Sequence, residues 1–200
     1  MAIKSVEKVH LDWLREENKQ VLYLSVSGNE GGILYKMTAV LLAYGWNIAE
    51  VVAETSTDGY VKDIFVVKSF LGEILNDELV FKMEEDYRSL ATEKDIESYL
   101  NKKKIKTECY KKPDSDKSVQ IFNPETSDFT LIDIRATDRP GLLFDIAKCF
   151  YHEGLEIVSF AANTTDTLVR DSFLVLTKQG KKLEEGDKIT QVKQSLLASM

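Results

Sequence analysis

Two hundred residues carrying 26 basic and 33 acidic side chains have a net charge of −7. That balance disfavours a general nucleic-acid surface, because phosphate binding relies on clustered Lys and Arg. Hydrophobic residues at 44% and charged residues at 30% fit a soluble globular chain with room for two small domains. Two cysteines without CxxC spacing, no apolar run near the roughly 18 residues of a membrane span, and no signal-like N-terminus point to a cytoplasmic chain with free thiols.

Residues 1–18 read as an N-terminal extension: Val6, Val9 and Trp13 suit a helix, whereas Val9, Leu11 and Trp13 suit a strand. A first domain is expected over 19–124. Residues 21–26 alternate like a strand, with Leu22, Leu24 and Val26 on one side, and the glycines from 28 to 32 break the pattern. Ile33, Leu34, Met37, Leu41 and Leu42 follow at helical spacing, with Gly45 as a natural stop. Two β-rich runs, 47–55 and 60–68, flank a hairpin signal at Ser56-Thr-Asp-Gly59. A long charged helix is expected over 76–102, with Leu79, Met83, Tyr87, Leu90 and Ile96 as its apolar stripe, and 118–122 closes the unit as a last strand. The lysines at 102, 103, 104, 106, 111 and 112 read as a solvated helix end, because only Tyr110 interleaves with them.

A loop, Asn123-Pro-Glu-Thr-Ser-Asp128, leads into a second domain over 125–200. Strand 129–136, helix 140–153, strands 155–164 and 168–177 and helix 187–198 repeat the order without a fourth strand of their own. The second domain is a copy of the first. Leu22, Gly32, Leu34, Gly45 and Ile48 recur 109 positions later as Leu131, Gly141, Leu143, Gly154 and Ile157. After one deletion the spacing becomes 108, and Ala53, Asp58, Val61, Asp63, Phe65 and Val67 match Ala161, Asp166, Val169, Asp171, Phe173 and Val175. A repeat this long marks a duplicated domain rather than a solenoid. The β-α-β-β-α-β order implies an α+β fold of antiparallel four-stranded sheets with helices on one face. Aliphatic residues at both alternating strand positions imply that the other face is covered by a domain or chain. The exposed edge of the second sheet should be covered by the N-terminal segment, the other copy or a second chain.

Chemistry concentrates at Thr137-Asp-Arg-Pro-Gly-Leu-Leu143, between the second copy's first strand and helix. Pro140 suits a first helical turn, and Gly141 permits close approach. Free N–H groups of Gly141, Leu142 and Leu143 would face a small carboxylate, while Asp138 could accept from an ammonium group. Together they fit the two charged ends of an amino acid. Equally, Asp138 could only bond the helix start and Gly141 only permit packing. Asp63 and Asp171 are expected to organise a strand or hairpin end, and Leu143, Ile146, Ala147 and Phe150 to be core.

This turn, with Leu155-Glu-Ile-Val-Ser-Phe-Ala-Ala-Asn-Thr-Thr165 and Val169-Arg-Asp-Ser-Phe-Leu-Val175, resembles an ACT domain, a ferredoxin-like module that binds amino acids. Asn47-Ile48 and the run from Thr55 to Val67 resemble the first ACT copy of the bifunctional uridylyltransferase/uridylyl-removing enzymes of bacterial nitrogen control, whose chains end in a tandem ACT pair. Val119-Gln-Ile-Phe-Asn123 resembles their lead-in strand. The resemblance implies copies paired side by side in an eight-stranded sheet, with ligand at the seam. It maps the ligand loop to Asp138, Arg139, Gly141, Leu142 and Leu143 in the second copy, and to Asn29, Gly32, Ile33 and Leu34 in the first. The first copy departs from the pattern, with Asn29 in place of the acid and Gly31 in place of the proline.

The enzymes' catalytic parts have no counterpart here. After Gly31-Gly32 no acid occurs until Glu50, and the two histidines, His10 and His152, make neither an adjacent His-Asp pair nor a metal site. His152 is expected to cap a helix or face solvent. The expectation is a non-catalytic regulatory protein without cofactor or metal. It would sense an amino acid, with glutamine the candidate the resemblance suggests, and act as a homodimer or on a partner protein. The alternative is an ACT-fold interaction scaffold that no longer binds ligand. RNA binding is disfavoured because Tyr60-Val-Lys-Asp-Ile-Phe65 lacks the aromatic signature of RNA-recognition strands.

Overall fold

A computed structural model describes residues 8–27, 31–55, 60–106, 110–111, 116–165 and 167–200. Alternating apolar residues build eight strands: β1 (Lys8–Glu16), β2 (Lys19–Ser27), β3 (Trp46–Thr55), β4 (Tyr60–Ser69), β5 (Ser118–Phe122), β6 (Thr130–Thr137), β7 (Leu155–Thr165) and β8 (Leu168–Thr177). Among the described residues five helices punctuate them: α1 (Ile33–Ala43), α2 (Asp77–Ser89), α3 (Glu93–Lys102), α4 (Leu142–His152) and α5 (Asp187–Ser199). The strands form one antiparallel sheet in the order β1-β2-β4-β3-β7-β8-β6-β5. Each half has a ferredoxin-like arrangement of four strands and helices, and the halves join where β3 pairs with β7 from Glu50↔Asn163 to Glu54↔Ser159.

The face carrying Leu22, Leu24, Val26, Val61 and Phe65, with Ile132, Ile134, Ala136 and Phe173 in the second half, is buried beneath the helices. On the opposite face Val52 and Ile64, cross-strand partners, are exposed. The cover expected for that face is not part of this chain's described structure.

Two expectations about strands are corrected. Strand 118–122 does not close the first unit. β5 pairs with β6, from Ser118↔Arg135 to Phe122↔Leu131, and supplies the fourth strand that the second copy was expected to lack. The ambiguous N-terminal extension is a strand over its described part, and β1 fills the same place beside β2. Both copies therefore take their edge strand from the segment before them. The physical cause is pattern: Val9, Leu11 and Trp13 continue the buried face of β2, as Val119 and Ile121 continue that of β6.

The helix expected over 76–102 is two helices. Thr92 accepts from the Asp95 N–H while Asp95 accepts from the Thr92 N–H, a capping box that starts α3 afresh. The sequence signal, Thr92-Glu-Lys-Asp95, lay inside an apolar stripe that masked it. The break frees α2 to guard the sheet edge. Glu84 accepts from the Leu11 N–H at 2.7 Å, Arg88 donates to the Val9 carbonyl at 2.7 Å, and the two side chains pair with each other. Outward-facing backbone groups of β1 are thereby occupied, which blunts an edge otherwise open to strand addition.

Register also corrects the alignment of the copies. Leu22, Leu24 and Val26 face Phe65, Asp63 and Val61, just as Ile132, Ile134 and Ala136 face Phe173, Asp171 and Val169. Leu22 therefore corresponds to Ile132, not Leu131. Likewise Val51 and Ala53 face Phe65 and Asp63 as Phe160 and Ala162 face Phe173 and Asp171, so Ala53 corresponds to Ala162, not Ala161. The copies differ by one residue in the loop before α1 or α4, and by one in the β3–β4 or β7–β8 hairpin. A one-residue change inside a strand would turn every following side chain to the wrong face, so the changes sit in loops. The hairpin residues 56–59, including Asp58, and Asp166 lie outside the described residues.

Candidate functional site

α1 and α4 lie antiparallel across the seam, and equivalent residues meet between them: Tyr35 and Phe144 have ring centroids 5.2 Å apart. Near this pseudo-twofold the seam has two ends, one at the glycine corner of each copy.

At one end stands the second copy's corner. Gly141 caps α4 in the left-handed conformation, φ +77°, which a side chain rarely adopts. The helix begins at Leu142 rather than Pro140, so Pro140 shapes the turn before it. Not every expected donor is free: the Leu142 N–H donates to the Arg139 carbonyl at 3.1 Å, and the Leu142 side chain is buried. Leu143 is only partly buried against the core.

Asp138 reaches across the seam. Its carboxylate accepts from the Asn47 side-chain amide of the first copy at 3.1 Å, while its own N–H donates to the Thr167 carbonyl at 2.7 Å. Burial raises the Asp138 pKa above the usual aspartate value, and hydrogen bonds from Asn47 and the Arg139 backbone oppose the shift. The carboxylate is thus partly desolvated and held by two neutral donors, the Asn47 side-chain amide and the Arg139 backbone. Asn47 was missed as a site residue, although it belonged to the quoted first-copy pattern; only the fold reveals that it meets the other copy's loop.

Arg139 is engaged by other partners. Its guanidinium is buried in an ion pair with Asp145 at 2.6 Å and donates to the Ser199 carbonyl at 3.3 Å, fastening the α4 start to the end of α5. A buried, paired Arg is costly to strip of its partner, so Arg139 acts here as a structural tie between α4 and α5.

At the other end the first copy's corner is covered. Gly32 caps α1 at φ +84°, but a Cβ placed there would lie 2.9 Å from Cδ2 of Tyr151, whose ring rests on the glycine. Tyr151 also packs on Tyr35 at 5.5 Å, with the Lys178 ammonium 5.5 Å from its own ring centroid. Leu34 is buried and Ile33 is half-buried against the core. Asn29 lies outside the described residues. Loop length adds to the difference, because one more residue separates strand from helix here, and the match of Asn29 to Asp138 holds only when counted back from the helix.

Other candidates resolve simply. Asp63 and Asp171 are buried in mid-strand, opposite Leu24 and Ala53 or Ile134 and Ala162, not at hairpin ends. Ile146, Ala147 and Phe150 are core as expected. His152 Nε2 lies 2.6 Å from the Glu93 carboxylate on the surface, and among the described residues no group of three or more His, Cys, Asp or Glu could hold a metal. No described helix is long and apolar enough to cross a membrane.

No family model matches the chain. It is similar to the bifunctional uridylyltransferase/uridylyl-removing enzyme of Rhodospirillum rubrum, 25% identical over 183 residues, which is 88% of this chain and 19% of that enzyme. The Azospirillum brasilense enzyme of the same name is 25% identical over 181 residues, 84% of this chain and 18% of the enzyme. A shorter match to the Caulobacter vibrioides enzyme is 34% identical over 83 residues, 42% of this chain and 9% of the enzyme. The chain therefore spans less than a fifth of the length of these relatives, and the similarity lies in their C-terminal region. Among solved structures, an aspartate kinase from Synechocystis overlays 89% of this chain with 26% of its own, at TM-score 0.43 and 14% identity.

Proposed function

We propose, from the premise that this is a tandem ACT-domain chain resembling the C-terminal ACT pair of the uridylyltransferase/uridylyl-removing enzymes, that it is a non-catalytic, cytoplasmic regulatory module. In this reading it binds an amino acid at the Asp138–Asn47 corner and serves nitrogen metabolism as a homodimer or through a partner protein. The carrying observation is the cross-seam hydrogen bond from Asn47 to Asp138 beside the left-handed Gly141. An ammonium group would replace the Asn47 amide on Asp138, exchanging a neutral donor for a charged one and so making an ion pair. The ligand carboxylate would take the donor side of the helix start at Gly141 and Leu143. Because the ligand touches both copies, it favours one arrangement of the seam by its differential affinity for the two, which is the minimum a regulatory signal requires. On this reading the division between the ACT units falls between α3 and β5, earlier than residue 124.

A thermal scan of the full chain against each common amino acid tests the proposal. Ligand at about 100 times its dissociation constant should add roughly 2.7 kcal/mol to stability; no shift with any of them contradicts sensing. One observation favours the alternative of a ligand-free interaction scaffold. The Tyr151 ring against Gly32 shows how a corner can be given up to packing. The scaffold reading expects the Asp138 corner to behave the same way.

A further inference from the structure

One face of the eight-stranded sheet lies beneath the helices, and strand register fixes what stands on the other. Across its middle run Tyr23, Ile64, Val52, Ala161 and Ser172, each the cross-strand partner of the next. In the adjoining row Ser25 and Lys62 are partners in the first half, and Leu174, Leu131 and Phe122 stand side by side in the second. Val52 is 52% exposed, Ile64 42% and Phe122 45%. Apolar side chains grouped on one exposed sheet face mark a surface of interaction.

The two halves of this face are opposite in relief. In the middle row Ile64 and Val52 of the first half have small counterparts, Ser172 and Ala161, in the second. In the adjoining row the order reverses, with Leu131 large in the second half and Ser25 small in the first. A second copy turned about a twofold axis along the seam strands would set Ile64 and Val52 over the partner's Ser172 and Ala161, and Leu131 over the partner's Ser25. Large side chains then meet small ones in both directions, as interdigitating layers require. Charge agrees. Arg135 and Arg170 are exposed cross-strand partners, a like-charge pair that is unfavourable alone. The same axis brings Glu50 to the strand beside the partner's Arg170. Lys19 bonds Glu50 Oε1 at 2.8 Å, and Oε2 has no partner among the described residues. Eight strands about 4.8 Å apart, over about five residues of about 3.3 Å, offer roughly 600 Å² of flat area per copy. Side-chain relief brings this towards the roughly 800 Å² per partner of a standard interface.

We infer that two copies of this chain pack sheet face on sheet face, the first half of each against the second half of the other. The inference rests on the homodimer reading above and adds the surface and the axis; the ligand corner plays no part in it. Release of water from both apolar rows drives the association, and the match of large to small residues between unlike halves selects a second copy as the occupant.

The test is equilibrium sedimentation of the full chain at high micromolar concentration, where the inference expects twice the chain's mass. The double variant V52K/I64K should weaken the dimer about tenfold or more, since a charge is left against apolar partners. Phe81→Lys, at an exposed position on α2, is the control that leaves the dimer unchanged. A second measurement uses the double variant I64C/S172C with a short bismaleimide. It should join two chains, whereas either single variant, with the chain's own cysteines, should not. Should V52K/I64K fail to fold, the cross-link decides. A monomeric wild type overturns the inference and leaves amino-acid binding to the thermal scan. A dimer that survives V52K/I64K, or a double cysteine variant that joins no better than the singles, meets through another surface and overturns it equally. An intact dimer that binds no amino acid upholds the inference and removes the sensing reading alone.

Discussion

The two ends of the seam began as one structure duplicated, and they have diverged in opposite directions. At the Gly141 end an acid and an amide meet across the copies, the acid partly desolvated. At the Gly32 end an aromatic ring lies on the glycine under a basic rim. The same left-handed corner, φ +77° in one case and +84° in the other, thus serves as a receptor candidate and as a packing site. A glycine corner is permissive; its neighbours across the seam decide what it is for.

The largest effect is expected from removing the plug. Tyr151→Ala deletes a ring shared between Gly32 and Tyr35, and should cost about 2–3 kcal/mol in chemical denaturation, the lower part of the range for large-to-small changes because the ring is only half-buried. A change below about 0.5 kcal/mol, the usual scale of an inconsequential surface substitution, would mean the ring does not hold that end. Gly32→Ala should cost about 1–2 kcal/mol, since it combines a left-handed backbone with a Cβ 2.9 Å from Tyr151. Gly31→Ala, with nothing within 4 Å and no positive φ, is the near-neutral control. Equal losses at 31 and 32 would remove the contact as the cause.

Tyr35→Phe goes the other way. The second copy already has Phe144 at this place, and the Tyr35 hydroxyl is buried without a hydrogen-bond partner among the described residues. The variant should gain about 1 kcal/mol, because an unsatisfied buried hydroxyl is removed. A loss instead would show that the hydroxyl has a partner in solution.

The smallest effect concerns Asp138 and pH. Burial raises its folded-state pKa above the unfolded value. A group shifted this way contributes stability that is fully present below the unfolded pKa and is lost as pH rises through the folded one. Asp138→Asn should remove that slope from the stability curve on the acid side while leaving the fold intact. An unchanged slope would mean the carboxyl is as well solvated folded as unfolded.

Much of this architecture was legible in the chain. Alternation marked β2, β3, β4, β6, β7 and β8, helical spacing marked α1 and α4, and the repeat marked the duplication. The errors in strand assignment and repeat alignment share one cause, that sequence shows neighbours along the chain but not partners across a sheet. β5 reads equally well as an end or a beginning, and only pairing with β6 assigns it. Leu22 and Leu131 are identical letters at the repeat spacing, yet strand register matches Leu22 to Ile132, because loops absorbed the length changes. The candidate site failed in the same manner. Asp138 and Gly141 were visible in a local motif, whereas Asn47 and Tyr151, each contributed by the opposite copy, were not. Arg139 was visible and misread, since its buried partner Asp145 lies six residues on, around the first turn of α4.

The most direct measurement is the side-chain amide signal of Asn47 in a heteronuclear NMR titration of the full chain with the amino acid that stabilises it most. The account predicts that this signal moves saturably with the backbone signals of Gly141 and Leu143, at one ligand per chain, while Gly32 stays put. Movement centred on Gly32 and Tyr151, or an Asn47 amide unmoved at saturation, would contradict it.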